Sequence, residues 1–146
     1  MKRTISLFLV LLFVAIAFAS CAQTITKVNV KIVVDQGDNG TYDEILFDGE
    51  VELSGKEPSI DTIINQLTNE EEITTEFSQD DDGNTAVVSI NGKENKDEGT
   101  SPMTIYQWFA LKNNSEVKGL WSDNIVEDGD NIVIKYSIWE FDDSEA

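Results

Sequence analysis

The side chains able to do chemistry in this 146-residue chain are carboxylates, lysines, three tryptophans and one cysteine; histidine is absent and Arg3 is the one arginine. Without histidine, the commonest general base and the commonest zinc ligand are both missing. Without arginine past residue 3, there is no bidentate clamp for a carboxylate or phosphate. The acids stand mostly in polar runs that read as solvated surface. An enzyme is not expected, and no catalytic residue is assigned.

Two segments are suited to holding a ligand. Trp108 lies in the aromatic stretch Tyr106-Gln107-Trp108-Phe109, which runs on to Asn113-Asn114, whose amides offer hydrogen bonds. Trp108 has a second reading as a core residue that seals one end of the sheet beneath a helix, as single tryptophans in small domains commonly do. Leu120 and Trp121 sit between Gly119 and Ser122, in a loop where a large aromatic has less reason to be buried, and form a candidate contact patch. Trp139 and Phe141 alternate on one face of the last strand and are expected to pack. The run Asp80-Asp81-Asp82-Gly83-Asn84 places oxygens at Asp80, Asp82 and Asn84, as the start of a calcium loop does. It then departs from that pattern, with Thr85 where the loop needs Gly and Asn91 where it needs a bidentate Glu. A hairpin turn accounts for the segment without metal, so no metal site is expected there. Glu70-Glu71-Glu72 reads as surface charge at a helix exit.

The N-terminus has a different logic. Lys2 and Arg3 precede an apolar run over residues 5–18, and no further charge occurs before Lys27. At ~1.5 Å per residue the run spans about 21 Å, short for a membrane span but right for a signal-peptide core. Ala17-Phe18-Ala19 fits an ordinary secretory cleavage site. Phe18-Ala19-Ser20-Cys21 resembles the bacterial lipobox, although Phe18 replaces the usual aliphatic residue. Cys21, the single cysteine, cannot close an internal disulfide, and lipidation gives it a role. The chain is therefore expected on the extracytoplasmic face of a bacterial membrane or on the cell surface.

Removal of residues 1–20 takes away two cations and no acid, so the formal charge moves from −18 to −20. Such a surface repels nucleic acid and anionic headgroups, leaving a lipid on Cys21 as the only expected route to a membrane. The expected partners are a small uncharged or cationic molecule or another envelope protein.

The elements that must position these residues follow from periodicity. Alternation over residues 27–35, with Val28, Val30, Ile32 and Val34 on one face, predicts a half-buried strand. Residues 36–40 form a turn. A second strand runs over 44–53, with Ile45, Phe47, Val51 and Leu53 as its apolar members and a bulge expected at Asp48-Gly49. Ile60, Ile63, Ile64 and Leu67 then stand at helical spacing, with Pro58 or Ser59 at the mouth and Asn69 at the exit. Strands are predicted over 73–78, 85–91, 104–112 and 131–141. Residues 92–102 contain no apolar side chain before Pro102 and are expected to be a mobile loop. The organisation is a signal peptide (1–20), a short tether (21–26), one α+β domain (27–141) and an acidic tail (142–146), expected to be disordered.

Strand, turn, strand, one helix and further strands is the order of a β-grasp fold. The chain resembles the transcobalamin-like C-terminal domain family over roughly residues 27–136. Three segments carry the likeness: Ser89-Ile90-Asn91-Gly92, then Trp108 followed five residues later by the Asn113-Asn114 turn, then Gly129-Asp130-Asn131-Ile132-Val133-Ile134-Lys135-Tyr136. Asn114 replaces a glycine usual in the family. The resemblance implies a β-grasp-like mixed sheet packed on one helix, working as a ligand-binding module. Its site would be formed by Trp108, Asn113, Asn114, Leu120 and Trp121, with cobalamin or another corrinoid as one candidate ligand and no resident cofactor. Cobalamin carriers hold their ligand between this domain and a separate helical one; no helical domain is expected in this sequence, and without histidine imidazole ligation of cobalt is excluded. The alternative is a structural or interaction module of the envelope that docks through a strand edge or the Leu120–Trp121 loop.

Overall fold

The computed structural model describes residues 24–35, 41–99 and 103–141, with residue 141 described by its backbone alone. The signal segment, Cys21 and its lipidation, the 36–40 turn and the acidic tail lie outside the described residues.

Alternation builds the centre. In β1 (Ile25–Asp35), Val28, Val30, Ile32 and Val34 face one side and are buried. β2 (Glu44–Ser54) pairs antiparallel with it, Val28 opposite Val51 and Ile32 opposite Phe47. The next pair is Val33 with Ile45, so Leu46 is an extra residue on β2. The bulge therefore sits at Leu46 and not at Asp48-Gly49. An inserted residue reverses the facing of everything beyond it. Val51 and Leu53 stay in the core, whereas Ile45 turns outward and is 54% exposed.

The helix α1 (Ile60–Asn69) follows the predicted stripe, with Ile60, Ile63, Ile64 and Leu67 all buried. Ser59 caps it. The Thr62 N–H donates to Ser59 Oγ at 3.4 Å and the Ser59 N–H donates to Thr62 Oγ1 at 3.0 Å, a reciprocal capping box. At the other end the Glu71 N–H donates to the Thr68 carbonyl at 3.2 Å and the Glu72 N–H to the Leu67 carbonyl at 3.0 Å. This pattern needs a left-handed residue at its pivot, and Glu71 supplies it with φ of 61°.

Two sheets complete the fold. β3 (Thr75–Gln79), β4 (Thr85–Ile90) and β5 (Lys93–Glu94) form the smaller. β6 (Lys96–Glu98), β7 (Met103–Lys112), β8 (Ser115–Glu116) and β9 (Asn131–Phe141) join β1 and β2 in the larger, whose order is β2-β1-β9-β7-β6 with β8 on the edge of β7. β1 and β9 run parallel at the centre, and the other pairs are antiparallel. Among the described residues the result is α+β, mostly sheet with one α-helix, as the sequence predicts.

Two expectations are corrected. The 92–102 segment is not simply a loop: β5 and β6 lie within it, and their side chains are partly or wholly exposed, so no apolar period marks them. Trp139 is not packed into the core. β1 pairs with β9 as far as Ser137, and among the described residues no strand pairs with β9 on that side beyond it; Trp139 is 47% exposed, its ring edge-on to Phe109 at 6.0 Å.

A side chain with a Cβ in the left-handed region carries a penalty of roughly 1–2 kcal/mol that glycine avoids. Glu71→Gly is therefore expected to stabilise the protein by about 1 kcal/mol, read as a higher urea midpoint at unchanged slope. A lower midpoint would show that the Glu71 side chain has a role this geometry does not reveal.

Candidate functional site

The aromatic strand β7 delivers Trp108 to the junction of the two sheets. Its indole N–H donates to the Lys93 carbonyl at 2.7 Å, and its backbone N–H donates to Asn95 Oδ1 at 2.8 Å. Its ring lies 5.1 Å from that of Tyr136, whose hydroxyl donates to the Glu94 carbonyl at 2.7 Å. Trp108 is 3% exposed. Of its two sequence readings the core one prevails: no free aromatic face is offered for stacking. Asn95, which the sequence reading passed over, is the pin. Besides meeting Trp108, it donates its side-chain amide to the Val87 carbonyl at 3.1 Å and its N–H to the Val88 carbonyl at 2.7 Å. One asparagine thereby links β4 to β7.

Trp108 still contributes to a groove. A cavity of about 170 Å³ is lined by Asp61, Thr85, Asn95, Trp108, Leu120 and Trp121 among others. Trp121 opens a short 3-10 turn (Trp121–Asp123) and is partly buried against the core. The loop is fixed by Asn124, whose side-chain amide donates to the Leu120 carbonyl at 2.6 Å and the Lys118 carbonyl at 3.2 Å. The Asn124 carbonyl in turn accepts the Ile60 N–H at 3.1 Å, tying the loop to the mouth of α1. Asp61, in the first turn of that helix, supplies a carboxylate to the groove. The chemistry available is apolar and aromatic contact beside one carboxylate and neutral amide and hydroxyl groups.

Asn113 and Asn114 do not reach this groove. Five residues along a strand separate Asn113 from Trp108, about 17 Å at ~3.3 Å each. The two asparagines form the tight turn between β7 and β8, with φ of 52° and 66°. Both central residues at positive φ is the hairpin geometry that asparagine tolerates. Asn113 is structural. Its amide donates to Asp130 Oδ1 at 2.7 Å and its Oδ1 accepts the Asn131 N–H at 2.9 Å. Asn114 is exposed. Of the five ligand-binding residues predicted, Trp108, Leu120 and Trp121 come together, and the two asparagines serve the turn.

Asp130 is held by the same corner. Its Oδ2 accepts the Glu127 N–H at 2.8 Å and pairs with Lys112 Nζ at 3.0 Å. Burial pushes its carboxyl up, but the hydrogen bonds from Glu127, Asn113 and Lys112 outweigh that and hold it below the usual carboxylate value. Asp80 is the hub of its own hairpin. Its Oδ1 accepts the N–H groups of Asp82 at 3.0 Å and Asn84 at 2.8 Å, and its Oδ2 accepts the Asn84 amide at 2.9 Å. These bonds, that from the Asn84 side chain foremost, lower its pKa. Its oxygens are turned inward on the loop, and among the described residues no three of Asp, Glu, Cys or His gather as a metal would require.

No family model matches the sequence, and no curated protein matches it. The fold has solved relatives. A crystal structure of haptocorrin in complex with Cbi matches over 80% of this chain at 14% identity with a TM-score of 0.58. This chain spans only 26% of that one, so the likeness is to a part of a larger protein and is one of fold. A Ruminococcus gnavus structure, named as that of a candidate metal binding protein, matches over 80% of this chain and 98% of its own at 14% identity and a TM-score of 0.47.

A carboxyl with a depressed pKa stabilises the fold above its unfolded pKa of ~3.9, and that contribution is lost as pH falls through the lower folded value. Asp130→Asn is expected to cost about 1–3 kcal/mol at neutral pH, because charge-assisted bonds to Glu127 and Lys112 are lost. The gap between wild type and variant in urea unfolding should narrow below about pH 4. A gap independent of pH would show that the carboxylate charge is not what holds this corner.

Proposed function

We propose that this chain is an exported, lipid-anchored ligand-binding module of the bacterial envelope, built on a β-grasp domain of the transcobalamin-like type. The observation that carries the reading is the groove between Trp108 and the Leu120–Trp121 loop, whose walls are pinned by the chain's own hydrogen bonds through Asn95 and Asn124. Preformed shape of this kind lowers the ordering cost of binding. The hairpin, the single helix and the parallel closing strand support the β-grasp assignment, as does the likeness to haptocorrin.

The groove's size bounds the ligand. Sites that enclose a whole drug-sized molecule have volumes of ~300–1,000 Å³. At about 170 Å³ this one admits a small molecule or one edge of a larger ligand. A corrinoid would be gripped by its rim, with most of its surface against another protein, which accords with a match to only 26% of the haptocorrin chain. The Asp61 carboxylate and the acidic surface favour a neutral or cationic group at the point of contact. A second reading, an interaction module without a small ligand, draws on β2, whose 11 residues form one edge of the main sheet among the described residues.

Native mass spectrometry of the protein from its own host is expected to show a bound small molecule that Trp121→Ala loses while keeping a wild-type circular dichroism spectrum. Undiminished occupancy in the variant would place the ligand elsewhere and sink the groove assignment. For the anchor, Cys21→Ala is expected to move the protein from the membrane fraction into the medium. Retention at the membrane would count against lipidation.

A further inference from the structure

We infer that the face of the main sheet turned away from the helix is a docking surface for a basic protein partner with an apolar contact side. This rests on the sheet register and is independent of the groove. Trp108, Ala110 and Ile134 point into the core, so by strand alternation Ile105, Phe109, Leu111, Val133 and Trp139 share the opposite face. The register aligns them: Leu111 is opposite Val133, Phe109 opposite Lys135 and Ile105 opposite Trp139. These residues form two groups, Phe109, Leu111 and Val133 towards one end and Ile105 with Trp139 at the other, with the Gln107–Ser137 pair between them, over about 20 Å along β7 at ~3.3 Å per residue. The bulge adds Ile45, 54% exposed, at the far side of the row that passes through Val33 and Lys135 to Phe109. Val33 within that row is fully buried and Ile105, Phe109, Leu111 and Val133 are half-buried, so the exposed apolar surface of the face is offered by Ile45 and Trp139. Two exposed large apolar side chains on one sheet face, one of them a half-exposed tryptophan, are the kind of anchors that contact surfaces use.

Charge selects the occupant. The three lysines of this face are already paired, Lys27 with Glu50 at 3.3 Å, Lys31 with Asp48 at 2.9 Å and Lys135 with Asp35. Glu52, which also pairs with Lys27, and Asp97, opposite Ile105 in the register, leave the face net acidic. A second copy would bring its own charge of −18 or more against this one, and anionic lipid is repelled likewise. The C-terminal residues Asp142, Asp143 and Glu145 are themselves acidic and fit the rim poorly. What complements the face is a surface whose apolar residues are flanked by Lys or Arg.

The test uses an amphipathic helical peptide of Leu and Lys as probe, with a Leu and Glu twin as control. The Leu/Lys peptide is expected to bind, more weakly as salt rises, and Trp139→Ser is expected to weaken it about tenfold. Ile45→Ser provides a second readout should the Trp139 variant melt early. Equal binding to wild type and both variants would reduce the effect to charge alone and overturn the proposal. So would binding to phosphatidylcholine vesicles in place of the peptide, or a dimer in sedimentation.

Discussion

The parallel pairing of β1 with β9 is the constraint on which the other elements depend. It joins residues about a hundred positions apart, Asn29 to Asn131 and Asp35 to Ser137, and both strands bury side chains in the same core. A parallel pair cannot be closed by a tight turn, so the chain between them must leave the sheet, cover it and return. The helix and the small sheet are that cover. The turn before β9 secures the return: the Gly129 N–H donates to the Lys27 carbonyl at 2.8 Å, the Lys27 N–H to Asp128 Oδ1 at 2.9 Å and the Asn29 N–H to the Asp130 carbonyl at 2.9 Å. Asp130 then reaches across to Asn113, so the start of β1, the start of β9 and the end of β7 are fixed in one corner.

The groove depends on this frame at second hand. β9 places Tyr136, Tyr136 and β7 place Trp108, and Trp108 is tied to the β5–β6 connection by Lys93 and Asn95. The Trp121 loop comes from the other direction, tied to α1 through Asn124. The groove is the seam where the two sheets and the helix mouth meet, and part-buried polar bonds fix its walls. Such bonds have directional demands that fix relative position.

What was legible in the sequence follows from this division. The helix stripe Ile60, Ile63, Ile64 and Leu67 and the alternation of β1 were readable because each buries one face at its own period. β5 and β6 were not, since two- and three-residue strands held by backbone bonds leave no pattern in side-chain polarity. The bulge was misplaced because Leu46 gives no local signal, and a register slip is decided by the partner strand. At the site, Leu120 and Trp121 could be singled out by their polar surroundings, while Asn95 and Asn124 could not. A lone asparagine in a polar segment looks like any other until its partners at long range are known. Asn113 was noticed for its amide, but that amide serves Asp130.

The edge formed by β2 has a bearing on what copies of this protein do to one another when crowded. An edge strand of 11 residues, paired on one side alone among the described residues, is a template on which a neighbour's strand could extend the sheet without limit. Glu44, Asp48, Glu50 and Glu52 are exposed along it, and an identical edge approaching would bring like charges together. The extra residue at Leu46 also breaks the even spacing of N–H and C=O groups that a straight incoming strand would need. Acid and bulge, with the Gln66 amide donating to the Glu52 carbonyl at 2.9 Å, together guard the protein against open-ended polymerisation.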